Sequence, residues 1–117
     1  MIVKDFLIEQ LETFNIPVIL QGAIAPGVAY PKEFITFQTM PSDTPQSYDN
    51  DNGVTVWTFN VNYYSNNPDD VAEMSQRIYN TLKSAGFIPQ GKGHDVLSDD
   101  VNFTGWGFDF DYIESEV

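Results

Sequence analysis

Hydrophobic and polar positions change their spacing several times along this chain, and each spacing points to an element. Near the start, Val3, Phe6, Leu7, Leu11 and Phe14 recur at three- and four-residue steps, while Lys4, Asp5, Glu9 and Glu12 fall elsewhere. That period predicts an amphipathic helix, ended by Asn15 and Pro17. Pro17 to Leu20 is a short apolar run closed by Gly22 and reads as a strand. Ala23 to Pro31, with two prolines and a glycine, reads as a loop. Glu33 to Met40 carries Phe34, Ile35, Thr36 and Phe37, strong β-formers that predict a second strand.

A polar connection from Pro41 to Gly53 follows, built from Pro-Ser-Asp-Thr-Pro and Asp-Asn-Asp-Asn-Gly runs. It is longer than a hairpin requires. From Val54 to Tyr64 the alternation is strict: Trp57, Phe59, Val61 and Tyr63 against Thr58, Asn60 and Asn62. One face of that strand is aromatic and the other mostly polar. A helix start comes next. Asn67 suits the N-cap, Pro68 the first helical position, and Asp69 and Asp70 the positive end of the dipole. Val71, Met74, Ile78, Leu82 and Ala85 form the buried stripe, and Gly86 is placed for a left-handed C-cap with Phe87 folding back. After a polar segment containing Gly91-Lys92-Gly93-His94, the run from Gly105 to Ile113 alternates Trp106, Phe108, Phe110 and Tyr112 with Gly107, Asp109 and Asp111. Glu114 to Val117 reads as a frayed acidic tail. The order implies one α+β domain over residues 1–117, with two helices on one face of a mostly antiparallel sheet of about four strands.

Charge narrows the partners. Seventeen carboxylates face five cationic side chains, for a formal net charge of −12. Lys4, Lys32, Arg77, Lys83 and Lys92 are scattered singly, so no patch can neutralise a run of phosphates or an anionic membrane surface. The aromatic content of 15% is high for a core this small, which places some rings at the surface as interface material. Without cysteine there is no disulfide, thiol catalysis or thiolate metal site. The opening residues reach charge at once, and no apolar run approaches a membrane span, which predicts a soluble chain made in the cytoplasm.

Candidate chemistry is sparse. His94 beside Asp95, near Asp99 and Asp100, suggests a metal ligand or a general base, but no second imidazole exists to complete a conventional site. Asp49-Asn50-Asp51-Asn52-Gly53 resembles a calcium loop until Gly53 is aligned with the loop glycine. Tyr48 then falls at the first ligand position and Phe59 at the twelfth, where a carboxylate is needed. Asp109 and Asp111 share a strand face as paired acid–base carboxylates would, but such a site needs further partners, and the pattern reads rather as charges guarding an edge strand. No catalytic, cofactor or metal residue is assigned.

Tyr63-Tyr64-Ser65-Asn66-Asn67-Pro68 leads from an aromatic strand into a capped helix. Ile78, Leu82 and Gly86-Phe87 follow, then a final strand ending Phe110-Asp111-Tyr112. This layout resembles the small tail-completion proteins of tailed bacteriophages, above all the tail terminators of long non-contractile tails. The resemblance covers most of the chain and rests on layout and a few residues. It implies a structural, non-enzymatic protein working as a hexameric ring at the head-proximal end of the tail in the virion. Its implied partners are itself, the major tail tube protein and the head connector protein, with DNA passing without specific binding. It implies no cofactor and no membrane. Two readings stand beside it: another virion connector component (a stopper or minor capsid protein), and a small metal-dependent hydrolase using the aspartates near His94 and Asp109. On the ring reading, Tyr48, Asp49 and Asp51 are candidate contacts to a neighbouring subunit or the tube. Asp109, Asp111, Glu114 and Glu116 are candidate residues of an acidic lumen, where like charge shortens the stay of DNA on the wall.

Overall fold

The computed structural model describes residues 2–20, 31–40, 54–98 and 102–115. Helix α1 (Val3–Glu12) and helix α2 (Pro68–Ser84) lie on one face of a six-stranded sheet. The strands are β1 (Val18–Leu20), β2 (Glu33–Thr39), β3 (Val54–Ser65), β4 (Ile88–Pro89), β5 (His94–Val96) and β6 (Thr104–Ser115). Their spatial order is β1-β2-β3-β6-β4, with β5 also on β6.

Among the described residues the chain is α+β with two helices, as its periodicity implies, but the sheet is larger than expected and mixed. β1 pairs parallel to β2, whereas the pairings β2–β3, β3–β6, β4–β6 and β5–β6 are antiparallel. Residues 21–32 separate β1 from β2, a length that suits the crossover a parallel pair requires. β4 and β5 have two and three residues, too few for any alternation to register. His94 accordingly sits in a short strand, exposed, rather than in a loop. β6 continues through Glu114 and Ser115, which the sequence assigned to a frayed tail. Nor is β6 an edge strand over most of its length, since β3 flanks one side and β4 and β5 the other.

The helix ends follow the local chemistry closely. Asn67 accepts the Asp69 backbone N–H on its side chain at 3.1 Å, and Ser65 Oγ accepts the Asn67 N–H at 3.0 Å. At the other end Gly86 has φ +102°, the left-handed conformation that glycine adopts without a Cβ penalty. Gly86 N–H then bonds Lys83 O and Phe87 N–H bonds Leu82 O, closing a Schellman motif that tucks Phe87 into the core. Asn15 closes α1 in the same region, with φ +58°.

The core lies between sheet and helices. Val3, Leu7 and Leu11 of α1 and Val71, Ile78 and Leu82 of α2 meet Ile35, Phe37, Phe59, Val61, Tyr63, Phe108 and Phe110 from the strands. Its rings touch in a chain: Phe6 stacks on Phe87 at 5.7 Å, and Phe87 meets Tyr112 at 4.9 Å and Phe59 at 6.2 Å. The predicted stripe of α2 is buried, except that Met74 and Ala85 are half-exposed and Ser75 is buried in addition.

Candidate functional site

Strand β6 organises the surface of the molecule, because its two ends and two faces offer different chemistry. β3 and β6 pair over twelve residues, from Val54↔Ser115 to Ser65↔Thr104. β2 follows β3 only as far as Phe59, and β4 follows β6 only as far as Asp111. Met40 N–H bonds Thr58 O and extends the β2 side by one step. Beyond that point, residues 54–57 and 112–115 form a two-stranded ribbon whose outer edges carry no further strand among the described residues. Trp57 Nε1 donates to Glu114 Oε1 at 3.0 Å and pins the two strands together on one side. Ile113, on the other side, is 53% exposed.

At the opposite end of β6, the start of α2 and the 91–96 turn enclose a groove of about 470 Å³. Pro68, Val71, Ala72, Ser75, Tyr79 and Trp106 supply most of its lining, with Lys92 and Asp95 at its rim. Its size and mostly apolar character fit a side chain or short segment of a partner. Trp106 forms a fixed wall, since its Nε1 donates to Lys92 O at 3.1 Å. Gly93, with φ +96°, makes this possible: a Cβ there would collide with Trp106 Nε1 and with the Gly107 carbonyl. Lys83 Nζ sits 5.9 Å over the Tyr79 ring, so a second cation borders the same wall. The Ser75 hydroxyl is buried in the lining without a hydrogen-bond partner among the described residues.

The sheet face turned away from the helices is polar along its middle, with Phe34 stacked on Tyr64 at 5.0 Å toward one end. Thr58 Oγ1 donates to Asp111 Oδ1 at 2.8 Å, and Gln90 Nε2 donates to the same oxygen at 2.7 Å. Asn60 Nδ2 donates to Asp109 Oδ1 at 3.1 Å, Asn62 Nδ2 donates to Asn60 Oδ1 at 2.8 Å, and Thr36 Oγ1 accepts from Asn62 at 3.4 Å. The result is a hydrogen-bonded ladder across β2, β3 and β6. Gly107 leaves room for it, since a Cβ there would press on the Asn62 amide and on Val96, and Gly105 likewise leaves room for the Tyr64 ring beside it. Asn62 Oδ1 is nevertheless buried with no partner among the described residues. On the helix side, Tyr63 Oη donates to Glu33 Oε1 at 2.9 Å. Burial first, and then that hydrogen bond beside the Glu33 charge, push the Tyr63 phenol well above its ordinary value.

The expected lumenal acids therefore do not form one set. Asp109 and Asp111 belong to the polar face, half-buried and hydrogen-bonded, whereas Glu114 projects from the helix side of the ribbon toward Trp57. A change of parity between residues 111 and 114 puts them on opposite faces, which period-two geometry dictates. Glu116 lies outside the described residues, as do Tyr48, Asp49, Asp51 and the whole predicted loop 41–53. The 21–30 part of the earlier loop lies outside them too. Among the described residues no group of three or more His, Asp or Glu side chains comes together as a metal site. No helix among them is long and apolar enough to cross a membrane.

The groove was not foreseen. Trp106 reads in sequence as one more inward-facing aromatic, and Lys92 as an isolated loop cation. The only local signal was the paired glycine turn Gly91-Lys92-Gly93, which brings the Lys92 carbonyl back to the indole. No family model matches the chain, and no curated protein sequence matches it.

Proposed function

We propose that this protein is a structural subunit of a phage virion, a tail terminator that caps the tail tube as a ring of identical copies and joins it to the head connector. One observation carries the reading: a single subunit presents two dissimilar contact surfaces at opposite ends of β6. One is the apolar groove beside Trp106, and the other is the two-stranded ribbon whose outer edges carry no further strand among the described residues. A ring needs heterologous contacts, in which a patch of one kind meets a different patch on the next copy. Two unlike surfaces on one small chain fit that requirement better than a self-complementary dimer does.

The charge fits as well. A net charge of −12 gives a ring a strongly anionic surface, along which DNA can slide without adhering. The carboxylates that looked most like catalytic pairs accept hydrogen bonds from neutral Thr58, Asn60 and Gln90, an arrangement that orders a sheet surface. On this reading the partners are further copies of the chain, the tube protein and the connector, in the head-proximal part of the tail.

The test is the solution mass by light scattering on a sizing column, followed by mixing with purified tail tubes. A species near six 13.2-kDa subunits, or recruitment of the protein to one tube end, is expected. A chain that stays monomeric and leaves tubes uncapped overturns the reading. Binding to filled heads in place of tubes would instead select the stopper role.

A further inference from the structure

We infer that the groove between α2 and β6 is a docking site for a tyrosine side chain presented by a partner protein of the assembly. The inference rests on the structural reading above for the source of the ring, and on the groove itself for its chemistry.

The groove is graded from mouth to floor. On α2, Ala72 and Gln76 are exposed at the mouth, while Val71 and Ser75 are buried beneath them. Tyr79 and Trp106, both half-buried, supply the aromatic walls. At about 470 Å³ the space falls in the range of small-ligand pockets, enough for a ring together with the chain that carries it. Aromatic walls select a planar occupant, since rings pack offset or edge-to-face against one another.

Ser75 adds a polar requirement. The buried positions of α2 are Val71, Ser75, Ile78 and Leu82, a stripe that the hydroxyl interrupts. The Ser75 side chain is 6% exposed, and its oxygen has no hydrogen-bond partner among the described residues. A buried hydroxyl left unpaired costs free energy, which an occupant bringing its own polar atom recovers. Rotation about χ1 alone carries the hydroxyl between staggered positions, and it can donate or accept. A phenol has one oxygen at the far tip of a flat ring. It reaches such a floor while its body stays between the walls.

Charge and source narrow the occupant further. Among the lining residues Lys92 and Asp95 carry one charge of each sign, so an ion would meet attraction and repulsion together. A neutral ring suits that mouth. The exposed large apolar side chains among the described residues are Ile2, Leu20, Ile88, Leu97 and Ile113, all aliphatic, so the described surface of a second copy offers no exposed ring. A different protein must supply it, and tyrosine is among the residues that anchor interfaces by filling pockets.

The experiment titrates the full chain with N-acetyl-tyrosinamide, N-acetyl-phenylalaninamide and p-cresol. Calorimetry follows the unmodified chain, and tryptophan-selective emission follows Trp106 alone in a Trp57→Phe background. Saturable binding of the capped tyrosine with a shift in Trp106 emission is expected, at least tenfold tighter than that of the capped phenylalanine. Ser75→Ala should abolish the preference, and Ala72→Glu at the mouth should weaken the capped tyrosine at least tenfold. No binding of the capped tyrosine, equal affinity for the two, or a preference that survives Ser75→Ala overturns the proposal. Tighter binding of p-cresol, which carries no backbone, would assign the groove to a free phenolic molecule and overturn the partner. Selective binding without recruitment to tail tubes leaves the docking chemistry standing and rejects the terminator role. Recruitment unchanged by Ser75→Ala and by Ala72→Glu would do the reverse.

Discussion

The two faces of the sheet are built from alternate residues of the same strands, yet they are held in different ways. On the helix side, Phe59, Val61, Tyr63, Phe108 and Phe110 are buried among Leu7, Leu11, Ile78 and Leu82. On the far side, Thr36, Thr58, Asn60, Asn62, Asp109 and Asp111 are joined by directional hydrogen bonds, with Gly107 leaving them space. The first face supplies stabilisation in proportion to apolar area removed from water. The second supplies little net energy per bond but a demanding geometry. A slip of one residue would put each pattern on the wrong side, so the pair of faces fixes register as well as stability.

Neighbouring residues on β3 offer the sharpest way to break that comparison. Phe59 is fully buried and touches Phe87 and Trp57, whereas Thr58 is half-exposed and bonds Asp111. Phe59→Ala should cost about 3–5 kcal/mol of unfolding free energy, the range for a buried ring lost to a cavity. Thr58→Ala should cost about 1 kcal/mol, one hydrogen bond at a partly solvated position. Urea unfolding of the two variants measures both. Similar losses would mean that the polar face carries far more of the stability than its hydrogen bonds suggest.

Gly107 tests the far face from the opposite direction, by adding volume rather than removing it. A Cβ at this position would meet Asn62 Oδ1 and lie 2.8 Å from Val96 Cγ1. Gly107→Ala should therefore cost about 1–3 kcal/mol as overpacking, although alanine is ordinarily the easier residue to order. A neutral or stabilising result would show that the polar ladder yields readily and does not constrain the sheet.

Much of the helix-covered face was legible from the chain itself. The three- and four-residue spacing of Leu7 and Leu11, the Asn67-Pro68 start, the Gly86-Phe87 stop and the alternation of β3 and β6 each follow from local physics. What escaped is non-local. β4 and β5 are too short to carry a period and exist because β6 offers them an edge. The parallel placement of β1 depends on where the chain returns after residue 20, which no local pattern encodes. The groove arises only when α2, the Gly93 turn and the start of β6 converge. Strand parity alone separates Asp109 and Asp111 from Glu114.

Tyr63 joins the two modes, because its ring is core and its hydroxyl donates to Glu33. Tyr63→Phe should cost about 1 kcal/mol at neutral pH, the hydrogen bond alone. The alkaline behaviour is more diagnostic. Folding raises the phenol above its unfolded value of about 10, so the folded state keeps a proton that the unfolded state releases. Stability from this group is complete below pH 10 and declines as pH rises above it. Wild-type stability should thus fall more steeply than that of Tyr63→Phe between pH 10 and pH 11.5, and the two should converge. Parallel curves would remove Tyr63 as the group responsible.

The smallest effect on stability comes from charges on the two faces, and it bears most directly on the proposed ring. Asp109→Asn and Asp111→Asn keep an acceptor oxygen for Asn60, Thr58 and Gln90, so together they should shift unfolding by no more than about 0.5 kcal/mol. Any shift should favour the variant at low salt, because removing negative charge from a chain of net charge −12 relieves self-repulsion. Glu114→Gln, which keeps the acceptor for Trp57, should be equally mild. Function separates what stability does not. These carboxylates project from opposite faces of β6, and a ring turns only one face of this strand toward its bore. If the polar face lines the bore, the Asp109/Asp111 double variant should slow DNA ejection while Glu114→Gln leaves it at the wild-type rate. The opposite pattern would assign the helix side of the ribbon to the bore, and wild-type rates in both variants would place β6 away from the DNA path altogether.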